Sequence, residues 1–535
     1  MKSSKRFMTH LALTGVAIAV TGCSMMGTSQ PDWEADKEYK VTILHTNDHH
    51  GRFWQNRNGE YGMAARKTLI DNIREEVALE GGNSLLLSGG DINTGVPESD
   101  LQDAEPDFRG MNMLKYDAMA LGNHEFDNSL EVLKQQQEWA GFPFLSANIL
   151  DEETGKPLFD AYHIFQVADL KVAVVGFTTD DTAKLGNPEY LEGIKIESPI
   201  EVAKTLIPKV SKKADIVIAA THMGHYDNGQ HGGNAPGDVT LARTVPGIDV
   251  IVGGHSQIPL TEPDEQNGTL ILQAHEWGKY VGRLDMVIKN GEIISSEYKL
   301  IPVNLKKKVK DAEGKSVRVF IEEEIEQNPE MLAMLTPFQE KGQAELNIEI
   351  GYASDDLVGE RSVVRFQETN LGNLIAAAMK EKVNADIGVM NSGGIRDDMP
   401  KGIVTYKSVL QVQPFANAVS YVDLSADELT SYLTAVGSKE AGTGAFAQFD
   451  GVAFTLVDGQ ASNIMVNGQA LDANRSYRVA INSYVATGGD GYPKVTDHPN
   501  YVNSGYVDAD VLVDYIQNNS PLDVAKFAPK GAVKR

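Results

Sequence analysis

At 535 residues the chain exceeds the length at which one hydrophobic core keeps growing, so two domains are expected, and its 42% hydrophobic content is ordinary for globular protein. With 74 acidic against 48 basic residues, a formal net charge of −26, its surface repels polyanions, which argues against a nucleic-acid polymer as partner. An anionic substrate would have to be captured by local positive charge, either metal ions or clustered arginines.

The N-terminus carries Lys2, Lys5 and Arg6 and then a mostly apolar run over 8–20, too short to span a bilayer and patterned as a signal peptide. It closes on Val20-Thr21-Gly22-Cys23-Ser24, which resembles the lipobox of bacterial lipoproteins and makes Cys23, the only cysteine, the expected site of lipidation. The simpler alternative is cleavage at Ala17-Ile18-Ala19, releasing a soluble protein with a free thiol. Both readings export the protein, and neither leaves a disulfide. Loss of 1–23 would leave 45 basic and 74 acidic residues, a net of −29. Ser24 rather than aspartate after the cysteine points by analogy to the outer membrane, facing the periplasm or the outside.

Apolar runs at 41–44, 84–87, 172–175, 215–220 and 248–252 end abruptly in glycine, asparagine or histidine. Their length and their aliphatic, mostly β-branched residues predict buried strands, with helical patterns such as 64–80 between them, hence an α/β layered domain. Past Tyr298 the texture changes to Lys306-Lys307-Lys308, an acidic run at Glu322-Glu323-Glu324, and Asn328-Pro329-Glu330 opening a helix with Pro337 inside it, which together read as a connector. A second α/β pattern begins near Tyr352, with a helix over 371–383, a buried strand over 387–390 and a capping box at Ser425-Ala426-Asp427-Glu428. The expected division is an export segment 1–23, a tether 24–37, a first domain 38–327, a connector and hinge 328–352, and a second domain 353–535. Of the twelve histidines, ten lie between 45 and 275, so metal chemistry belongs to the first half.

The polar residues at the strand ends are Asp48, His50, Asp91, Asn123, His124, His222, His255 and Gln257, the place where α/β sheets gather their sites. Singly each has an ordinary explanation: a turn or helix cap for Asp91, a turn for Asn123, a satisfied half-buried ring for His222. Together, Asp48-His49-His50, Gly90-Asp91, Gly122-Asn123-His124-Glu125, His222 and Gly254-His255-Ser256-Gln257 resemble the metallophosphoesterase superfamily, and Gln257, where the general signature has histidine, resembles its bacterial 5′-nucleotidase branch. The resemblance implies a four-layer α/β/β/α first domain joined by a helical connector to a smaller α/β nucleotide-binding domain. It assigns Asp48, His50 and Gln257 to one divalent metal ion, Asn123, His222 and His255 to another, and Asp91 to both. Oxygen and nitrogen donors without thiolate suit Zn, Mn, Co or Mg, and the neutral oxygen of Gln257 leaves the choice open. Two such ions roughly 3.5–4 Å apart activate a shared hydroxide for in-line attack at phosphorus. On this reading His124 is no ligand. Held by Asp127, it is the charged donor that assists the leaving oxygen, with Asn123 beside it.

In the second half Arg361 and Arg365 stand four apart, and Arg396 follows Gly393-Gly394; arginine forks near a glycine turn suit phosphate or carboxylate, although surface pairing with carboxylates would look the same. Similarity to 5′-nucleotidases extends through Gln413-Pro414-Phe415-Ala416-Asn417 and Thr487-Gly488-Gly489-Asp490-Gly491-Tyr492. It implies that Phe415 and Tyr484 sandwich the base, Asn417 contacts its edge, Asp490 accepts from ribose hydroxyls and the arginines hold phosphate. Tyr484 stands where the family usually has phenylalanine, and its hydroxyl needs a partner. Without the resemblance, two aromatics would be assigned to a core.

The function implied is that of an exported 5′-nucleotidase, acting on nucleoside 5′-phosphates, ATP, ADP and UDP-sugars in nucleotide scavenging, with nucleotides as substrates, a lipid anchor at Cys23 and no protein partner. The rivals are a 2′,3′-cyclic nucleotide phosphodiesterase with 3′-nucleotidase activity, and a nucleotide-binding lipoprotein without catalysis. Members of the family are known for a large rotation of the second domain, with 328–352 as the natural hinge here.

Overall fold

The computed structural model describes residues 32–185, 190–227, 236–310 and 314–535; Cys23 and the export segment lie outside them. The first domain rests on two six-stranded sheets packed face to face. In one, Glu38–Thr46, Asn83–Ser88, Ala118–Ala120 and Phe144–Leu145 run parallel beside the antiparallel hairpin Tyr280–Lys289 and Glu292–Pro302. In the other, Leu170–Thr178, Ile216–His222, Val250–Val252 and Thr269–Leu272 run parallel between antiparallel edges.

Val41, Ile43, Leu85 and Leu87 from the first sheet meet Val172, Val174, Ile216, Ile218 and Val250 from the second in a shared core. The outer faces are covered by helices Met63–Leu79 and Glu105–Leu114 on one side and Pro199–Val210 and Asp238–Thr244 on the other. The result is the four-layer α/β/β/α arrangement. Strands buried on both faces favour apolar residues on both sides, which is why they stand out as near-continuous runs.

Helix Pro329–Leu346 starts at Asn328, whose side chain accepts from the Met331 N–H. Its Met331 and Leu335 are wholly buried in the core of the first domain, so this helix is fastened there rather than free between domains. The lysine run read as part of a connector is instead the first strand of a hairpin, Lys306–Lys310 with Ser316–Phe320. The strand pairs through its backbone, and the Lys306 ammonium lies 4.3 Å over the Phe320 ring while Lys307 and Lys308 stay exposed.

The second domain has a five-stranded sheet in the order Ala447–Asp450, Ile387–Asn391, Ser476–Asn482, Ala418–Ser425, Tyr501–Val507. Helices Asn370–Lys382 and Asp508–Asn518 pack on one face, and helix Ala426–Gly437 with a small sheet on the other. The Ser425 and Glu428 capping box is formed.

Candidate active site

The polar residues singled out in the first domain all follow or end parallel strands: Asp48 and His50 after Glu38–Thr46, Asp91 after Asn83–Ser88, Asn123 and His124 after Ala118–Ala120, His222 at the end of Ile216–His222, His255 and Gln257 after Val250–Val252. The two sheets touch at these ends. A Cβ on Gly89 would lie 2.5 Å from Gly253 O, and one on Gly122 would lie 2.1 Å from Asp91 Oδ1, so glycine is required for the approach. Asp48, His50, Asp91, His255 and Gln257 take left-handed backbone, with φ of 50, 51, 57, 73 and 57°. That conformation costs about 1–2 kcal/mol per non-glycine residue. It is held by cross-strand hydrogen bonds, Asp48 N to Gly90 O at 2.9 Å, His50 N to Asp91 O at 3.1 Å and Trp277 N to Asp48 O at 2.7 Å.

His50, Asp91 and His124 present ligand atoms within 4.8 Å of one another, as do Asp91, His222 and His255, so Asp91 is common to both groups. His50 Nε2 lies 4.0 Å from Asp48 Oδ1, 3.9 Å from Asp91 Oδ2 and 3.0 Å from the Gln257 amide. Second contacts aim the rings: His50 Nδ1 donates to Thr94 O at 2.8 Å and His222 Nδ1 to Gly89 O at 2.6 Å, turning both Nε2 atoms inward. Burial lowers His50 to about 3, keeping it neutral as a ligand requires. Burial opposes charge on His222 too, but Asp91, 2.9 Å from its Nε2, outweighs it and raises the ring to about 10. Asn123 Oδ1 is buried without a hydrogen-bond partner among the described residues, and His222 Nε2 faces the Asp91 carboxylate. Inward-facing oxygen and nitrogen atoms with no thiolate and unmet bonding capacity fit divalent cations.

His124 differs from this set although it is within reach of one group. Its Nδ1 bonds Asp127 Oδ2 at 2.5 Å across the single turn His124–Phe126, and Thr94 Oγ1 donates to the same carboxylate at 2.7 Å. Burial would lower the ring, but Asp127 and Asp91 outweigh it and raise it to about 9. What sets it apart is geometry: Nδ1 is held by a carboxylate, not by a backbone carbonyl as in His50 and His222, which leaves an Nε2 proton to donate.

Three contributors escaped the sequence. The buried Glu125 carboxylate accepts from the N–H groups of Gly122, Ile92 and Asp91 at 2.7, 2.8 and 3.0 Å, tying the loop of Asp91 to that of Asn123. Its signal was present, as the one acid in Gly122-Asn123-His124-Glu125 with no role. Asn47 donates to Asp48 Oδ2 at 2.6 Å and accepts from Ala274 N at 2.8 Å. His49 pairs with the buried Asp107 at 2.8 Å, a contact with no local signal.

In the second domain Arg361 and Arg365 flank one helical turn, Arg361–Val364. Burial, then Arg361 and Arg396, push Arg365 down to about 9. The three guanidinium groups crowd together with no ion pair among the described residues, an arrangement an anion would relieve. Arg396 lies 5.4 Å over the Phe415 ring, and Phe415 stacks on His124 at 6.1 Å and 15°. The second domain thus meets the first directly above the candidate metal ligands, and a Lys407 to Glu98 ion pair joins the domains nearby. Asn417 hydrogen-bonds the buried Asp508 through its side chain. Phe415 and Tyr484 are not in ring contact with each other among the described residues. The Tyr484 hydroxyl finds its partner in Asp490, at 3.1 Å.

Two family profiles match, calcineurin-like phosphoesterase over 41–259 and 5′-nucleotidase, C-terminal domain, over 349–497. The 5′-nucleotidase of Vibrio cholerae is 57% identical across 97% of each chain. Protein UshA of Escherichia coli is 54% identical across 97% of this chain and 98% of its own. Among solved structures, the 5′-nucleotidase precursor from Thermus thermophilus is 28% identical with a TM-score of 0.73, covering 93% of this chain and 99% of that one.

Proposed function

The chain belongs to the 5′-nucleotidase family of metallophosphoesterases, and from that premise we propose that it is an exported enzyme releasing phosphate from nucleoside 5′-phosphates, from ATP and ADP, and cleaving UDP-sugars, in the service of nucleotide scavenging. The observation that carries this reading is the stacking of Phe415 on His124 with Arg396 beside it. It joins a base-binding ring, a phosphate-binding cation and a proton donor at the seam of the two domains.

Asp48, His50 and Gln257 would hold one divalent cation and Asn123, His222 and His255 a second, with Asp91 shared. Such ions supply Lewis acidity toward the phosphoryl oxygens and acidify water for in-line displacement. Arg361, Arg365 and Arg396 neutralise the phosphate and keep it in register. His124, oriented by Asp127, gives its Nε2 proton to the departing ribose oxygen. Phe415 and Tyr484 bind the base by its faces, which tolerates any base, with Asn417 at its edge and Asp490 at the ribose. Lipidation at Cys23 would anchor the protein to the membrane, and mass spectrometry of the mature N-terminus tests it: an unmodified cysteine removes the anchor.

The central test measures phosphate release from AMP, other 5′-nucleotides, cyclic 2′,3′-AMP and UDP-glucose after chelation and after return of each divalent metal. Activity lost on chelation, restored by metal and faster on AMP than on cyclic 2′,3′-AMP supports the proposal. The reverse order favours the phosphodiesterase reading, and no release under any metal favours a binding lipoprotein.

A further inference from the structure

In the second domain the base wall and the ribose acceptor belong to one closed hydrogen-bonded ring. Tyr484 Oη donates to Asp490 Oδ1 at 3.1 Å and accepts from Asp490 N at 3.2 Å. The other carboxylate oxygen, Oδ2, accepts from Asn391 Nδ2 at 2.8 Å, and Asn391 Oδ1 accepts from Asn482 Nδ2 at 2.9 Å. Asn482 Oδ1 accepts from Val485 N at 2.9 Å and so caps the turn that carries Tyr484, closing the ring. Asp490 is held in left-handed backbone, φ 53°, and the Tyr484 ring lies so close to Gly489 that a Cβ there would fall 2.6 Å from Cζ. Neither the carboxylate nor the phenol is free to swing. Both side chains are nevertheless only half-buried, open to a ligand.

An ionised carboxylate offers about four lone-pair positions. Tyr484 and Asn391 take one on each oxygen and leave one on each, both in a fixed direction. A ribose 2′,3′-diol brings two neighbouring O–H donors to fill them. A 2′-deoxyribose brings one and leaves the second position without its substrate donor, a mismatch that lowers affinity. A phenylalanine at this position would supply the ring without the hydroxyl. The carboxylate then has one fixed donor fewer and can turn toward water.

We propose that the Tyr484 hydroxyl is a specificity-determining group that fixes Asp490 for the 2′,3′-diol and makes this enzyme favour ribonucleotides over 2′-deoxyribonucleotides. The proposal rests on the reading of Tyr484 as base wall and Asp490 as ribose acceptor. The test compares kcat/KM for AMP and dAMP, together with calorimetric binding of adenosine and 2′-deoxyadenosine, in the wild type, Tyr484→Phe and Asp490→Asn. The wild type is expected to favour the ribose forms. Tyr484→Phe should lower that preference roughly three- to tenfold, the worth of one hydrogen bond, chiefly through KM and adenosine affinity. Asp490→Asn should lower it at least as far. Adenosine binding that persists in Tyr484→Phe identifies a folded variant. A preference unchanged in Tyr484→Phe but collapsed in Asp490→Asn overturns the role of the hydroxyl and leaves the ribose reading standing. A preference unchanged in both, or absent from the wild type, overturns both.

Discussion

The two walls of the cleft are built on opposite principles. In the first domain Asp48, His50, Asp91, Asn123 and His222 are at most 4% exposed, His255 and Gln257 are half-buried, and five of the seven sit in left-handed backbone locked by bonds between strand ends. In the second domain Arg361 and Arg396 are exposed, and Arg365, Phe415, Asn417, Tyr484 and Asp490 are half-buried. A metal centre has to be in place before its ions arrive, so the strain is stored in the backbone and offset by the core. A wall with the proposed substrate-binding role must admit and release its ligand, so it works through side chains. Asp490 and Ala416 are the exceptions on the second wall, both in left-handed backbone, with Asp490 tied on both oxygens.

That contrast can be broken, and the sharpest blow falls on the residue at the boundary. His124→Ala should lower kcat about 10²–10³-fold while metal content, measured by elemental mass spectrometry, stays that of the wild type. Loss of metal would put His124 among the ligands and dissolve the contrast. Next, Arg396→Ala should lower kcat/KM for AMP about 10- to 100-fold, and for p-nitrophenyl phosphate alike, as the proposed grip on the phosphate requires. A loss confined to nucleotides would move Arg396 to the base wall beside Phe415. The smallest effect is expected of Phe415→Ala, which should raise KM for AMP about fivefold to tenfold, the lower end of the worth of a base stack, with a smaller change on p-nitrophenyl phosphate. Equal changes on both substrates in steady-state kinetics would mean that the ring serves His124 rather than the base.

How much was legible depended on the range of the contact. The strands could be read because burial on both faces leaves mostly apolar residues between turns, and the donors could be read because each stands just past such a run. The link between His124 and Asp127 was also accessible, since a single helical turn brings residues three apart onto one face. The hairpin of Lys306–Lys310 with Ser316–Phe320 was not, because it is made by backbone pairing across strands that a run of charge does not announce. Nor was the tie of His49 to Asp107, whose partners are brought together only by the folded domain.

By itself the sequence determined which donors are present and in which half they lie, because ligand identity is a property of the side chain. Only the tertiary structure decided that Asp91 is common to two groups, that the Nδ1 bonds of His50 and His222 turn their other nitrogens inward, and that the Tyr484 hydroxyl closes on Asp490. Those outcomes depend on distances and orientations set by strand ends packed from different parts of the chain, which no local pattern encodes.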